Sequence, residues 1–272
     1  MTLEQVHYTT FKAGSKTYFN SSLFFPRRLR EEVFALYGFV RVADNFVDRV
    51  PQDPEGFYRF REAYEKALGG TAAGDPIIDA FVELAGRKAF DPAWTRAFLH
   101  SMELDLKKKN YDTLEETLEY IYGSAEVIGL YMARILELPP AADRYAELLG
   151  RSMQYINFIR DIDEDRTLGR RYLPLADTPL TSLAPDHVRR HPEEFKAFLR
   201  HHLSYYKQWQ KEAEEGFKYI PRRSRIPIKT ASDMYNWTAR TIEADPMVVF
   251  ERKVKPSRGR IFGRILIDAV TG

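Results

Sequence analysis

The stretch between Gln154 and Asp165 constrains the fold more than any other part of the chain, because it combines helical periodicity with a polar stripe. At 100° per residue, Gln154, Asp161 and Asp165 fall on a narrow strip of one helix face. Asn157 lies beside this strip and Arg160 lies further round. Isoleucine recurs at every third position in the same stretch, which indicates a packed helix. Ionised carboxylates are not buried without cations, so the stripe predicts an interior site that holds positive charge.

A second polar stripe occurs much earlier in the chain. Its four members are separated by four, three and four positions: Tyr37, Arg41, Asp44 and Asp48. This spacing places them on one face of a helix whose other positions are mostly apolar. Each of the two stripes therefore contains an aspartate pair of the form D-x-x-x-D with an arginine within about one turn.

Two such helices predict one cavity with carboxylates on two walls. Hard oxygen ligands of this kind suit Mg²⁺ or Mn²⁺, which bring substrate phosphates with them. One aspartate pair alone would be weak support, because acids four residues apart are common on solvated helix faces. A buried network of salt bridges without a metal is the alternative that the residues alone leave open.

The two motifs resemble the aspartate-rich motifs of the squalene/phytoene synthase family. The first reads RVADNFVD from Arg41, and the second reads QYINFIRDIDED from Gln154 and continues to GRRYLP, which ends at Pro174. The resemblance extends from Ser15 to Arg252. It implies an all-α fold in which the whole chain, 1–272, forms a single isoprenoid-synthase-type helical bundle around a central catalytic cavity. It also implies the head-to-head condensation of two allylic prenyl diphosphates.

The resemblance assigns roles to particular residues. The expected ligands of substrate diphosphate are Ser15, Arg41, Gln154, Arg160 and Arg252. The expected metal ligands are Asp44, Asp48, Asn157, Asp161 and Asp165, with Mg²⁺ as the cofactor and Mn²⁺ as the alternative ion. The expected catalytic residues are the four aspartates together with Tyr37, Tyr120 and Tyr235. Many relatives have Asp-Asp where this chain has Asp44-Asn45, but position 45 points about 100° away from Asp44, so metal binding should persist.

The chemistry explains why these residue types are needed. An allylic diphosphate ionises when the charge of its leaving group is neutralised by metal ions and by guanidinium groups, which fit phosphate oxygens in a bidentate way. The resulting carbocation needs an apolar channel that excludes water and offers aromatic ring faces to positive charge. The candidate wall residues are Phe19, Phe34, Tyr37, Phe39, Tyr120 and Tyr235.

Composition excludes several other classes of protein. The net charge is +2, from 41 basic and 39 acidic residues, so there is no basic excess that would suit nucleic acid. The absence of cysteine excludes a disulfide framework and a cysteine-based metal site.

No signal peptide or membrane-spanning stretch is evident, so a cytoplasmic enzyme is expected. The basic tail from Arg258 could touch a membrane surface, although packing onto the bundle is the expected default. The oligomeric state is left open.

Proline, glycine and capping signals divide the chain into helices. Helices are expected at about 26–48, 54–69, 75–88, 92–108, 113–137 and 193–219, with further helices carrying the second motif and Tyr235. The turn-rich segment after Pro174 is expected to lie over the mouth of the site. The four histidines between 187 and 202 are expected to be surface or packing residues, because no Glu-x-x-His motif accompanies them. The role of Glu126 is left open.

Several functions remain to be distinguished. The expected reaction joins two geranylgeranyl diphosphates to give phytoene, because Ser22 and Phe34 are smaller than the side chains that can occur at the matching places. The alternatives are a farnesyl-diphosphate-using squalene or dehydrosqualene synthase, a prenyl diphosphatase, and a non-catalytic lipid-binding protein. No nicotinamide site is evident, so NADPH is not expected. A di-iron carboxylate bundle is disfavoured by the lack of a Glu-x-x-His motif.

Overall fold

The computed structural model describes residues 25–176, 178–257, 259–261 and 263–265, and all regular secondary structure in these ranges is helical. The α-helices are α1 Arg27–Asp48, α2 Pro54–Leu68, α3 Pro76–Arg87, α4 Pro92–Lys107, α5 Leu114–Ile121, α6 Val127–Ile135, α7 Asp143–Arg160, α8 Ile162–Thr167, α9 Pro185–Arg190, α10 Pro192–Glu214, α11 Arg222–Ala244 and α12 Val248–Glu251. A π-helical segment, Tyr122–Glu126, joins α5 to α6, and 3₁₀ turns at Pro140–Ala142 and Glu215–Tyr219 precede α7 and α11.

Three successive helices begin at Asp-Pro pairs, as the sequence predicts. Asp53, Asp75 and Asp91 are the N-caps of α2, α3 and α4. Each carboxylate accepts a hydrogen bond of 2.8–2.9 Å from a backbone N–H of the first turn. The proline that follows each cap lacks only an N–H that would have had no partner inside the helix. Local chemistry therefore fixes where these helices start.

The buried side chains form two main clusters. The first is built by α1 to α4 together with α6, and in it the rings of Phe39 and Phe81 stack with centroids 4.0 Å apart. The second is built mainly by α5, α7, α10 and α11, and it contains Tyr155, Phe158 and Phe195. Helix α7 packs against both α6 and α10, so it connects the two clusters. Phe39, a candidate channel residue, is instead a core residue with 1% of its surface exposed.

Two glycines in the expected helix 113–137 lie at close contacts between helices. A Cβ atom on Gly123 would lie 2.2 Å from the carbonyl oxygen of Ala97, and one on Gly129 would lie 2.1 Å from that of Ala146. Gly123 also belongs to the π-helical segment, so the single helix expected here is interrupted. At this interruption the Ser101 hydroxyl donates to the carbonyl of Tyr120 at 2.9 Å.

Part of the C-terminal tail packs onto the bundle, in agreement with the expected default. Ile261 and Ile265 are buried against Met234 of α11, and Arg264 Nε lies 2.6 Å from Asp233 Oδ2. Within the ranges described above, no helix combines the length and the apolar character that crossing a bilayer requires.

Candidate active site

Arg170 links the two aspartate motifs, which are far apart in sequence. Its Nη1 donates to Asp48 Oδ1 at 3.1 Å across 122 positions of the chain, and its Nη2 donates to the carbonyl of Val47 at 2.7 Å. The residue belongs to the GRRYLP part of the second motif and is 8% exposed. The end of α1 and the loop after α8 are therefore held side by side.

The first motif lies on the last three turns of α1. Arg41 donates a short hydrogen bond to Asp44 one turn later. Burial, followed by the charge of Asp48, raises the pKa of Asp44 to about 7 even though Arg41 acts in the opposite direction. Burial also raises the pKa of Tyr37, one turn before Arg41, to about 12. The pKa of Asp44 thus stays raised beside one arginine, so further positive charge near it would favour its ionised form.

The second motif spans two helices, not the single helix that its periodicity predicts. Helix α7 ends at Arg160, and Asp161 forms the junction with α8. Asp161 and Asp165 are still one helical turn apart, because Asp165 N donates to the carbonyl of Asp161 at 2.8 Å. Arg160 Nε donates to Asp161 Oδ1 at 2.8 Å, and Lys253 Nζ lies 3.7 Å from the same oxygen. Burial, followed by the charge of Asp161, raises the pKa of Asp165 to about 8.

Asn157 supplies an independent sign that a ligand belongs at this site. Its Nδ2 donates to Gln154 Oε1 at 3.4 Å, whereas its buried Oδ1 has no hydrogen-bond partner in the described part of the chain. A buried polar atom without a partner is unfavourable, so a bound cation would be the natural complement of this oxygen. Carboxylates and an amide oxygen are ligand types that suit Mg²⁺, and nearby positive charge would favour the ionised forms of Asp44 and Asp165, whose pKa values are raised. The residues fit the expected metal.

The sequence reasoning missed Asp105, a carboxyl group at the centre of the site. It lies on α4, is 3% exposed, and accepts hydrogen bonds from Tyr120 at 2.7 Å and from Tyr172 at 2.5 Å. Arg170 Nη1 lies 4.0 Å from its Oδ1. Burial raises the pKa of Asp105 to about 6, and its charge in turn helps raise the pKa of both Asp44 and Asp165. Asp105 therefore lies within electrostatic reach of both motifs.

A signal for Asp105 was present in the sequence. Phe98, Ser101, Met102 and Asp105 are separated by three, one and three positions, which is the spacing of one helix face. All four are buried. An acid on the buried face of an amphipathic helix is the feature that would have identified it. Arg170 was missed in the same way, because it was treated only as part of the GRRYLP motif.

An apolar cavity of about 360 Å³ lies between the two buried clusters. Its polar end is formed by Tyr37, Gln154 and Asn157, which belong to the two polar stripes that carry the aspartates. The remaining wall is contributed by α1, the π-helical segment, α6, α7 and the region from the second 3₁₀ turn into α11. The residues along α7 that line it are Tyr145, Ala146, Leu149, Gly150, Met153, Gln154 and Asn157. An apolar channel with a polar end matches the shape expected for a prenyl diphosphate.

The remaining expected site residues are placed as follows. Tyr235 is half-buried against the second core cluster. Arg252 is exposed at the end of α12, and from this part of the chain its neighbour Lys253 contacts Asp161. Tyr120 faces Asp105 instead of the apolar cavity. Ser15, Phe19 and Ser22 lie outside the described residues. Glu126, left open above, is buried and forms a bidentate pair with Arg151, at 2.7 and 3.1 Å.

Residues 11–260 match the sequence model of the squalene/phytoene synthase family. The chain belongs to this family of prenyltransferases. It is 30% identical to the 15-cis-phytoene synthase of Pantoea ananas over 242 residues, which are 83% of this chain and 78% of that protein. It is 25% identical to the 15-cis-phytoene synthase of Synechococcus elongatus over 257 residues, covering 88% and 83% of the two chains.

Solved structures confirm the expected all-α fold. A dehydrosqualene synthase in complex with ligand superimposes with a TM-score of 0.86 at 21% identity, covering 98% of this chain and 96% of that chain. A squalene synthase from Alicyclobacillus acidocaldarius gives a TM-score of 0.79 at 21% identity, covering 89% and 94%. At these identities the likeness concerns the fold, and the family assignment comes from the sequence matches.

Proposed function

We propose that this protein is a Mg²⁺-dependent prenyltransferase that condenses two geranylgeranyl diphosphates head to head to give phytoene. The observation that carries this proposal is the apolar cavity whose polar end is formed by Tyr37, Gln154 and Asn157 of the two polar stripes, with the unpartnered Asn157 oxygen at that end. Membership of the family supports the reaction class, and the names of the two relatives support phytoene as the product.

The first step would use the metal ligands and two arginines of the motifs. Asp44, Asp48, Asn157, Asp161 and Asp165 would hold Mg²⁺, which supplies the positive charge that stabilises departing diphosphate. Guanidinium groups at positions 41 and 160 provide further positive charge. One diphosphate leaves, C1 of its prenyl group bonds to the double bond of the second substrate, and a proton is lost to give a cyclopropylcarbinyl diphosphate.

The second step uses the same site. The cyclopropylcarbinyl diphosphate loses its own diphosphate, the cation rearranges, and a proton is lost to form the central double bond of phytoene. The apolar walls exclude water, which would otherwise capture the cation as an alcohol. Tyr37, at the polar end of the cavity, offers an aromatic face to positive charge.

The length of the cavity supports a twenty-carbon substrate. Along α7 and the turn before it, the lining residues extend from Ala142 to Asn157. Fifteen helical positions correspond to about 22 Å at 1.5 Å per residue. Four isoprene units span roughly 20 Å when extended, given carbon–carbon bonds of about 1.5 Å. A fifteen-carbon chain would extend along fewer of these positions.

Product analysis tests the proposal directly. The purified protein is given geranylgeranyl diphosphate and farnesyl diphosphate, separately and together, with Mg²⁺ and with or without NADPH, and the hydrocarbons are extracted. We expect a C40 hydrocarbon that forms without NADPH and is absent in EDTA. A C30 product with unused geranylgeranyl diphosphate would overturn the choice of substrate. Release of prenyl alcohol alone would show a diphosphatase.

Substitution of one metal ligand tests the site itself. Asp165→Asn removes a charged ligand while keeping its size, so turnover should fall by at least about a hundredfold with the helical content unchanged. Asp163→Asn is the matched control, because Asp163 is paired with Arg166 at 2.9 Å on the partly exposed side of α8. Equal turnover in the two variants would contradict the metal assignment.

A further inference from the structure

A second group of metal-ligating side chains lies at the junction of α9 and α10. His187 lies on α9, His191 lies between the two helices, and Glu194 lies in the first turn of α10. The imidazole rings stack with centroids 4.4 Å apart, and His191 Nδ1 lies 3.2 Å from Glu194 Oε1. One ligand atom from each of the three residues can be chosen so that all lie within 4.8 Å of one another.

The geometry fits a small divalent ion. Donor atoms of a tetrahedral Zn²⁺ site lie roughly 3.3 Å apart when the bonds are about 2.0–2.1 Å long. The three side chains therefore need to approach one another by only about 1.5 Å. This change is within reach of side-chain rotation, because the side chains of His191 and Glu194 are 40% and 39% exposed. The same exposure leaves room for water as a fourth ligand.

The chemistry of the donor set selects the ion. Two imidazoles and one carboxylate form a site for a borderline-soft metal, whereas Mg²⁺ prefers oxygen ligands alone. The spacing His-x-x-x-His-x-x-Glu brings the donors together at the junction of α9 and α10. The sequence predicts surface or packing roles for these histidines because no Glu-x-x-His motif is present. In that motif the acid precedes the histidine, whereas here Glu194 follows His191.

The two arginines nearest to the cluster in sequence form contacts with Asp186 and not with the cluster. Arg189 pairs with Asp186 at 2.9 Å, and Arg190 Nε donates to the carbonyl of the same residue at 3.1 Å. These contacts hold the two guanidinium groups at Asp186. The repulsion that a dication would meet at the cluster is correspondingly reduced.

We propose that His187, His191 and Glu194 bind Zn²⁺ at a site separate from the aspartate motifs. The ion would join α9 to α10. It would also lie one hydrogen bond from the wall of a second cavity, of about 410 Å³, because Thr181 Oγ1 is 3.3 Å from His187 Nε2 and Thr181 lines that cavity together with Asp165. The site is thus placed to hold the segment after the second motif.

Zinc titration of the untagged full-length protein tests the proposal. The metal-depleted protein is titrated with Zn²⁺ by calorimetry in a large excess of Mg²⁺, which occupies the oxygen-rich site. We expect one equivalent of Zn²⁺ to bind, and we expect the dissociation constant to rise by at least about tenfold in His187→Ala and in His191→Ala. Substitution with Co²⁺ should give the visible absorption of a four-coordinate ion in the wild type and lose it in both variants.

His100 provides a matched control. It is followed by Glu103 in the same His-x-x-Glu spacing, with His100 Nδ1 4.0 Å from Glu103 Oε2, but no histidine lies four positions before it. His100→Ala should leave the Zn²⁺ affinity unchanged. The proposal is overturned if the wild type binds no Zn²⁺ under these conditions, or if His100→Ala weakens binding as much as the two site variants do. Circular dichroism confirms that each variant is folded before it is titrated.

Discussion

Asp105 is a buried carboxyl group whose charge helps raise the pKa of both Asp44 and Asp165. It is held by two tyrosine hydroxyls and lies near Arg170, which in turn contacts Asp48. Its carboxylate therefore positions the group that links the two motifs. A residue of this kind acts through its neighbours, so its removal should change the reaction more than it changes the fold.

Replacement of Asp105 by asparagine tests this role. An amide can accept from one tyrosine but offers an N–H₂ group to the other, so one hydrogen bond to a charged acceptor is lost, worth about 1.5–3 kcal/mol. We expect kcat/KM to fall by about tenfold or more, and we expect more Mg²⁺ to be needed for half-maximal activity. Glu103→Gln, on the same helix and paired with Arg61 at 3.0 Å, should change neither quantity. If Asp105→Asn and the wild type have the same kinetics, Asp105 has no role in the reaction.

The raised carboxyl pKa values also predict how stability depends on pH. The pKa values of Asp44 and Asp165 are about 7 and about 8 in the folded protein, compared with an ordinary value of 3.8. Between these values the folded state binds more protons than the unfolded state, so the free energy of unfolding falls as pH rises. We expect the Tm in EDTA to decrease between about pH 5 and about pH 8, and to decrease less in Asp165→Asn.

Thermal denaturation at constant ionic strength measures this dependence. Asp163→Asn, which has a comparable charge change on the exposed side of α8, should keep the wild-type slope. Mg²⁺ should reduce the slope in the wild type, because a cation favours the ionised carboxylates. Identical slopes for Asp165→Asn and wild type in EDTA would contradict the assignment of a raised pKa to Asp165.

At the scale of whole elements, the contact between α6 and α7 depends on a missing side chain. Gly129→Ala would place a methyl group against the carbonyl of Ala146, so we expect a loss of about 1–3 kcal/mol in the free energy of unfolding. Gly86→Ala on α3 is the matched control, since nothing lies within 4 Å of the added atom. That change should be neutral or should stabilise by up to about 1 kcal/mol. Urea denaturation compares the two, and equal stabilities would show that α6 can move away from α7 without cost.

The sequence predicts where helices begin and end when local chemistry determines these points. Where packing against other helices determines them, the observed helices differ from the prediction. Asp-Pro caps and periodicity predict α2 to α4, and α5 begins after Thr113, whose hydroxyl accepts a hydrogen bond from Glu116 N at 3.2 Å. The junction at Asp161 and the π-helical segment depend on contacts with other helices, so the periodicity of one segment does not reveal them. The likeness of the motifs indicated the two aspartate pairs, but the central position of Asp105 results from tertiary packing.

For the molecule as a whole, the depth of the cavity predicts the length of the product. Leu138 lines the cavity between the end of α6 and the turn at Pro140–Ala142, two positions before that turn. Leu138→Trp should shorten the channel, so kcat/KM should fall by about tenfold or more for geranylgeranyl diphosphate and less for farnesyl diphosphate. Leu138→Ile conserves volume and should keep the wild-type preference. Product ratios from mixed substrates measure the change, and an unaltered ratio in Leu138→Trp would place the end of the channel elsewhere.

The position of the apolar cavity between two core clusters also has a thermodynamic consequence. A prenyl chain that enters it joins the side chains of α1, α6, α7 and α11 into continuous apolar packing, so ligand binding adds buried surface of the kind that drives folding. Mass action then stabilises the folded state in proportion to the logarithm of ligand concentration. The abundance of its isoprenoid substrate would thereby set the lifetime of the protein as well as its rate of turnover.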